Sequence, residues 1–235
     1  MRIGLAAYRF KNKDVEYNIR QMEKALKESQ GKADLLCFGE TFLQGFDSLC
    51  WDFQIDKDIA ITQNSAVMQR ICSLTVKYQT DLLFGYVERE GDTLFSSCAV
   101  VEQGKIIHNY RRISKNWKEY SRTDGHYREG TATDELLYHG RNIMIALCGD
   151  LWLFPERFKT DDLLIWPVYV NFDLEEWEAY EQDYADQALL ASRQALMINS
   201  ITDNPISHGN AFYFYDGKVK QKLGYDTEAV LIVEV

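Results

Sequence analysis

Apolar runs and amphipathic stretches alternate along the first third of the chain. The first apolar run covers Met1 to Tyr8 and has the length of a strand. An amphipathic stretch follows from Asp14, and its apolar residues recur at helical spacing: Val15, Ile19, Met22 and Leu26. A second apolar run, Ala33 to Phe38, is typical of a strand that is buried on both faces of a sheet. The opening of the chain therefore predicts a β-α-β unit.

A second helix and strand follow, before the pattern changes to two consecutive strands. Asn64 to Lys77 has the spacing of a second helix, and Leu82 to Val87 has the pattern of the strand after it. Two further strand patterns, residues 94–101 and 105–112, are joined by a short turn that ends at Gly104. A hairpin next to β-α-β units predicts a sheet with both parallel and antiparallel strands.

The second half of the chain continues the alternation. Strand patterns cover Asn142 to Leu147, Leu163 to Val168, Ala195 to Ile201, Ala211 to Tyr215 and Val230 to Val235. Pro155 is placed to open a short helix, and Glu175 to Arg193 has the spacing of a longer one. Asp216 and Gly217, between the last two strands, predict a hairpin turn. Since the chain contains no linker and no repeat, we expect one α/β domain that covers residues 1–235.

Composition and charge exclude several classes of protein. Hydrophobic residues make up 46% of the chain and charged residues 26%, which indicates a globular protein and not a disordered one. The formal net charge of −10 repels nucleic-acid phosphates and anionic bilayers, so we expect binding to neither. The chain has no spanning apolar run and no signal-peptide pattern, so we expect a cytoplasmic location. Five cysteines without a CxxC pair indicate reduced thiols, not disulfides or a zinc site.

Two polar residues stand directly after predicted buried strands. Cys148 ends the strand pattern 142–147 and precedes Gly149, so its thiol would lie at a turn where backbone N–H groups are free to bind an oxyanion. Glu40 follows the run 33–38, at the strand end where α/β sheets bind ligands. Either residue alone is more often structural than catalytic. Together they favour a functional site over two unrelated structural roles.

The segments around these residues resemble the motifs of the nitrilase superfamily of carbon–nitrogen hydrolases. Residues 33–46 resemble its glutamate motif, 142–156 its cysteine motif, and 100–113 the hairpin that leads to its lysine. Residues 191–195 are similar to the helix end before its late strand, and residues 217–219 with 224–235 are similar to its closing hairpin. The resemblance implies a four-layer α-β-β-α sandwich with mixed sheets.

The resemblance also implies a hydrolase of non-peptide C–N bonds in small molecules. We expect an amidase that releases ammonia through a thioester on Cys148, with Glu40 as general base. Hydrolysis of N-carbamoyl amines or of nitriles is an alternative, because the same residues serve several branches of the family. A catalytically silent binding or assembly protein with this fold is a further alternative.

One position departs from the family pattern. Residues 110–113 align so that Arg112 stands where the family has its lysine. Lys115 lies three residues later and could reach the same place through a local bulge, so we expect it to stabilise the oxyanion. Arg112 is the alternative cation, since its guanidinium is always charged, although it is bulkier and planar. Lys118 is a weaker substitute.

The remaining candidates lie around the lysine and cysteine motifs. Glu119 and Asp124 are both candidates for the second carboxylate that positions substrate in many family members. Trp117, Tyr127 and Trp152 are expected to line the pocket. No residue spacing indicates a metal site or a phosphate-binding loop, so we expect no cofactor. The resemblance implies a homodimer.

Overall fold

Two six-stranded sheets form the centre of the protein, and the computed structural model describes all 235 residues. The first sheet contains, in spatial order, β12 (Ala229–Glu234), β1 (Arg2–Ala7), β2 (Leu35–Cys37), β3 (Asp81–Glu90), β4 (Thr93–Glu102) and β5 (Lys105–Arg111). The second contains β11 (Lys218–Lys222), β10 (Ile206–Tyr215), β9 (Gln194–Asp203), β8 (Leu163–Val168), β7 (Arg141–Ile145) and β6 (Leu136–Tyr138).

Both sheets are mixed, as the sequence predicts. In the first sheet β1, β2 and β3 run parallel, while β12, β4 and β5 pair antiparallel with their neighbours. The second sheet repeats this arrangement, with β7, β8 and β9 parallel. In α/β sheets, ligands bind at the carboxyl ends of parallel strands, so a site is expected where the chain turns after β2 in the first sheet and after β7 in the second.

Five α-helices accompany the sheets. They are α1 (Val15–Ser29), α2 (Phe53–Ile59), α3 (Ala66–Tyr78), α4 (Asp150–Leu153) and α5 (Leu174–Leu189). Asp14 caps α1 by accepting a hydrogen bond from the Tyr17 N–H, and Asp173 and Glu176 form a capping box at the start of α5. None of the five combines the length and the apolar character that crossing a membrane requires.

The apolar faces of these elements give four layers. Helices α1 and α3 cover one face of the first sheet, where Met22 and Ile71 share a buried cluster with Leu36 and Phe84. The other face of that sheet packs against the second sheet, whose outer face is covered by α5; all three contribute to the larger buried cluster. The expected α-β-β-α sandwich is confirmed.

The chain's last strand differs from the prediction. Asp216 and Gly217 do form a turn, but it leads into β11, which pairs with β10. The following strand β12 crosses to the first sheet and pairs antiparallel with β1. The predicted hairpin between residues 211–215 and 230–235 is therefore wrong. An apolar pattern identifies a strand but carries no information about its partner.

Candidate active site

Three side chains from three chain segments meet at one edge of the two sheets. Glu40 follows β2 of the first sheet, Cys148 follows β7 of the second, and Arg112 directly follows β5. Gly85 on β3 lets the Glu40 segment approach, because a Cβ at Gly85 would lie 2.7 Å from the Glu40 Cα and 2.3 Å from the Thr41 nitrogen. The fold thus brings together an acid, a thiol and a cation that are far apart in sequence.

The Glu40 carboxylate is completely buried and only half of it is hydrogen-bonded. Its Oε1 accepts hydrogen bonds from the Arg112 Nη1 at 2.8 Å and from the Ser96 hydroxyl at 3.1 Å. Its Oε2 has no hydrogen-bond partner. Leaving a buried carboxylate oxygen unpaired is energetically costly, so such an oxygen is unusual in a purely structural acid. It can accept a proton from a neighbouring group.

Cys148 occupies a sharp turn between β7 and α4. Its φ of 41° lies in the left-handed region, which few residues other than glycine adopt. The backbone is held by a hydrogen bond from the Cys148 N–H to the Pro167 carbonyl at 3.0 Å and by the Trp166 indole, which donates to the Cys148 carbonyl at 2.9 Å. The N–H of the next residue, Gly149, donates to no acceptor within the chain. It is available to an oxyanion formed at the thiol.

The thiol is held in its neutral form by its surroundings. The thiol donates a hydrogen bond to the Tyr169 carbonyl at 3.8 Å. Burial, followed by the negative charge of the nearby Glu40 carboxylate, raises the pKa of Cys148 to about 12. The positive charge of Arg112 acts in the opposite direction but does not outweigh these two effects. At neutral pH the thiol therefore keeps its proton, and attack by its sulfur requires a base.

Arg112 is held in place by three acceptors, and only 3% of it is exposed. Its Nε donates to the Ser114 hydroxyl at 2.7 Å, Nη1 to Glu40 at 2.8 Å and Nη2 to the Lys115 carbonyl at 2.8 Å. Burial alone would lower the pKa of Arg112, but the Glu40 carboxylate raises it above its ordinary value, so the guanidinium stays charged. These contacts use three of its five N–H groups, which leaves two for a ligand.

The two lysines considered from the sequence lie elsewhere. Lys115 is exposed, and its ammonium lies 5.8 Å from the centroid of the Tyr120 ring. Lys118 is partly buried and donates to the Glu129 carboxylate at 3.2 Å. The cation that contacts Glu40 is thus Arg112. An oxyanion role for Lys115 stays a prediction, and it would require movement of the loop.

The two candidate second carboxylates also point to solvent. Glu119 is exposed and accepts a hydrogen bond from the Ser121 hydroxyl at 2.8 Å. Asp124 is exposed as well, and it accepts from the backbone N–H of His126 at 2.9 Å. Neither residue contacts the three central side chains, so their role in positioning substrate stays a prediction.

The three predicted pocket aromatics lie in two places. Trp117 and Tyr127 belong to a small buried cluster, in which the Tyr127 hydroxyl donates to Asp56 at 2.7 Å. Trp152 on α4 is 42% exposed and packs against Trp166, with 6.2 Å between ring centroids. Of the three aromatic residues, only Trp152 lies on α4, the element that directly follows Cys148.

Sequence reasoning missed the residues that hold the site in shape. Asp150 is completely buried and accepts four hydrogen bonds, from the Tyr110 hydroxyl at 2.6 Å and from the backbone N–H groups of Leu147, Ser114 and Ile113 at 2.8, 2.8 and 3.2 Å. It therefore ties the segment after β5 to the turn after β7. Its position two residues after the candidate nucleophile was the available signal, whereas Ser96 and Ser114 lie in no pattern that could have identified them.

We expect Asp150→Asn to lower the free energy of unfolding by about 2–4 kcal/mol, since an amide NH₂ would face at least one backbone N–H in either orientation. Chemical denaturation followed by circular dichroism measures this change. Asp161→Asn, at an exposed aspartate, is the matched control and should leave stability nearly unchanged. An unaltered unfolding midpoint for Asp150→Asn would contradict the structural role.

One group of potential metal ligands lies at the opposite edge of the first sheet. Ligand atoms of Asp81, Glu102 and His139 lie within 4.8 Å of one another. Both Asp81 oxygens already accept hydrogen bonds, from the Tyr138 hydroxyl at 2.7 Å and the Gln103 N–H at 3.0 Å. This group is separate from the thiol, and its geometry is explained by hydrogen bonding within the protein.

One family model and two curated proteins are similar in sequence to this chain. The family model for carbon-nitrogen hydrolases matches residues 2–158. An arylacetonitrilase from Aspergillus niger is 24% identical over 115 residues, which cover 45% of this chain and 34% of that protein. A glutamine-dependent NAD(+) synthetase from Thermotoga maritima is 24% identical over 154 residues, which cover 65% of this chain and 26% of that protein. The chain thus spans about a third or less of these curated relatives.

Among solved structures, an amidase of the nitrilase superfamily from Nesterenkonia AN1 has the same fold over the whole chain. The TM-score is 0.81 at 18% sequence identity, and the match covers 100% of this chain and 90% of the amidase.

Proposed function

The chain belongs to the carbon–nitrogen hydrolase family, and within it we propose that this protein is an amidase of small molecules that forms a thioester on Cys148. The observation that carries the proposal is the unpaired Oε2 of the buried Glu40 beside a neutral thiol. A base with a free oxygen, a thiol that needs one, and a fixed cation are the groups that covalent amide hydrolysis requires.

The proposed first half of the reaction breaks the C–N bond. Glu40 takes the proton of the thiol as its sulfur attacks the amide carbon, and a C–S bond forms. The negative charge that develops on the amide oxygen is stabilised by an Arg112 N–H and the Gly149 N–H. Glu40 then gives its proton to the nitrogen, the C–N bond breaks, and ammonia or an amine leaves a thioester.

The second half restores the enzyme. Glu40, again a carboxylate, takes a proton from water as the water oxygen attacks the thioester carbon. The C–S bond breaks, the carboxylic acid is released, and the proton returns to the sulfur of Cys148. Glu40 thus carries every proton that is transferred in the two halves of the reaction. The two free N–H groups of Arg112 are available to the oxyanion in both halves.

Ammonia release tests the proposal against its alternatives. The wild type and Cys148→Ala should be assayed with primary amides, N-carbamoyl amines and nitriles. We expect cysteine-dependent ammonia release from amides, the substrate class that the name of the structurally similar Nesterenkonia amidase indicates. Release only from N-carbamoyl amines or nitriles would assign the chain to another branch of the family. A silent binding protein would release ammonia from none of them.

The identity of the cation is tested by two methionine variants. We expect Arg112→Met to lower turnover about 10²- to 10³-fold, the effect of losing one oxyanion donor, because the negative charge would then develop in a buried site with only the Gly149 N–H to stabilise it. Lys115→Met should stay within about threefold of the wild type, since only its backbone carbonyl contacts the site. Steady-state kinetics on the best amide measures both. The reverse order would show that Lys115 moves into the site.

The homodimer, the cytoplasmic location and the single domain implied above stay predictions. Sedimentation velocity of the purified chain tests the first of these directly.

A further inference from the structure

We propose that Gly149 is a positioning residue for Arg112: the missing Cβ provides the space in which the guanidinium reaches Glu40 and the thiol. The inference rests on the proposed function, in which Arg112 is the cation of the site. It adds that residues 112 and 149 are a matched pair, so that an arginine at 112 is tolerated only beside glycine at 149.

The space between Gly149 and the Arg112 guanidinium is too small for a Cβ atom. A Cβ built on Gly149 would lie 2.5 Å from the Arg112 Nη2, 3.5 Å from its Cζ and 3.3 Å from the Ser114 hydroxyl oxygen. Carbon and nitrogen atoms that are not bonded do not approach to 2.5 Å without strong repulsion. Any other residue at 149 must therefore displace the guanidinium.

The backbone itself does not require glycine here. Gly149 has φ −64° and ψ −9°, an ordinary helical conformation that every residue adopts. It is also the N-cap residue of α4, a position where serine is at least as favourable as glycine. The requirement for glycine thus comes from the neighbouring side chain.

The guanidinium cannot move aside without losing its function. The Arg112 side chain is 2% exposed, and its three nitrogens are bound to Ser114, Glu40 and the Lys115 carbonyl. Displacing Nη2 breaks the bond to the carbonyl and, because the group is planar and rigid, turns Nη1 away from Glu40. A lysine at 112 has a single terminal nitrogen on a flexible stem, so it can avoid a Cβ at 149.

A double-mutant cycle tests the pair. We expect Gly149→Ala to lower turnover at least about 30-fold with Arg112 in place, and by less than about threefold in the Arg112→Lys background. Gly149→Ser should behave like Gly149→Ala, since it also carries a Cβ but favours the N-cap. Gly125→Ala is the control, because nothing lies within 4 Å of a Cβ there. Equal losses in both backgrounds, or full activity of Gly149→Ser, would overturn the proposal.

A second measurement needs no substrate. The positive charge of Arg112 lowers the pKa of Cys148, so its displacement should move the pH midpoint of iodoacetamide alkylation of Cys148 upward in Gly149→Ala. The shift should be absent when Arg112→Lys is combined with Gly149→Ala. An unchanged midpoint in Gly149→Ala would contradict the displacement. If the wild type hydrolysed no amide, the proposed function would fail, while this alkylation cycle would still decide whether residues 112 and 149 are matched.

Discussion

Replacing Cys148 with alanine is expected to abolish amide hydrolysis while the protein stays folded. Alanine removes the sulfur that forms the thioester, and the left-handed backbone at this position is already tolerated by a residue with a Cβ. Cys148→Ser should be almost as inactive, because the far higher pKa of a hydroxyl prevents its activation by the same carboxylate. Ammonia release measures activity, and circular dichroism with thermal unfolding measures the fold.

Cysteine labelling provides the companion measurement. Cys37 and Cys98 are completely buried in β2 and β4, whereas Cys148 keeps part of its surface exposed. Mass spectrometry after brief iodoacetamide treatment should therefore find Cys148 modified ahead of these two. Cys72 on α3 is only half-buried and is a less useful reference. Near wild-type turnover of Cys148→Ala would exclude the covalent mechanism.

The location of Glu40 and Cys148 could be predicted from the sequence because both follow buried strands. The apolar runs 33–38 and 142–147 identify the strands by length and composition alone, and α/β sheets bind their ligands at the carboxyl ends of such strands. Because β2 and β7 belong to different sheets, the strand patterns locate each residue at a strand end, whereas the contact between the two depends on how the sheets pack.

The choice of cation could not be predicted in the same way. Arg112 and Lys115 are three residues apart just beyond β5, and which of them points inward depends on how the chain leaves the strand. That path is set by Asp150, which binds the N–H groups of residues 113 and 114 from a segment more than 30 residues away. A contact between residues so far apart in sequence cannot be detected in the pattern of apolar and polar residues around position 112.

The same limit explains the missed strands. Strand β11 contains three lysines and a glutamine and lies at a sheet edge, so it has no apolar alternation to detect. Strand β6 has only three residues, and the helix α2, which was also missed, has only seven, too few for a repeating apolar pattern to be recognised. Elements with a buried face of several residues were predicted, whereas very short elements and the polar edge strand were not.

We expect Glu40→Gln to lower turnover about 10²- to 10⁴-fold, the range typical of lost general acid–base catalysis. Glutamine keeps the volume of the side chain and can still accept the hydrogen bonds of Arg112 and Ser96, but it cannot take the proton of the thiol or return one to the leaving nitrogen. Steady-state kinetics across pH 6 to 10 measures the loss.

Glu40→Gln should make the free thiol more reactive towards alkylation, although it lowers turnover. The Glu40 charge raises the pKa of Cys148, so its removal should lower that pKa and shift the pH midpoint of alkylation downward, with Arg112 still in place. Glu88→Gln is the matched control: this buried carboxylate binds Arg111 and Ser97, and its loss should reduce stability without moving the midpoint. A base beside the thiol requires both effects together, lower turnover and a more acidic thiol, because the same charge that holds the proton on sulfur receives it during attack. A loss of turnover with an unchanged midpoint would instead mean that Glu40 acts at a distance, through the position of Arg112.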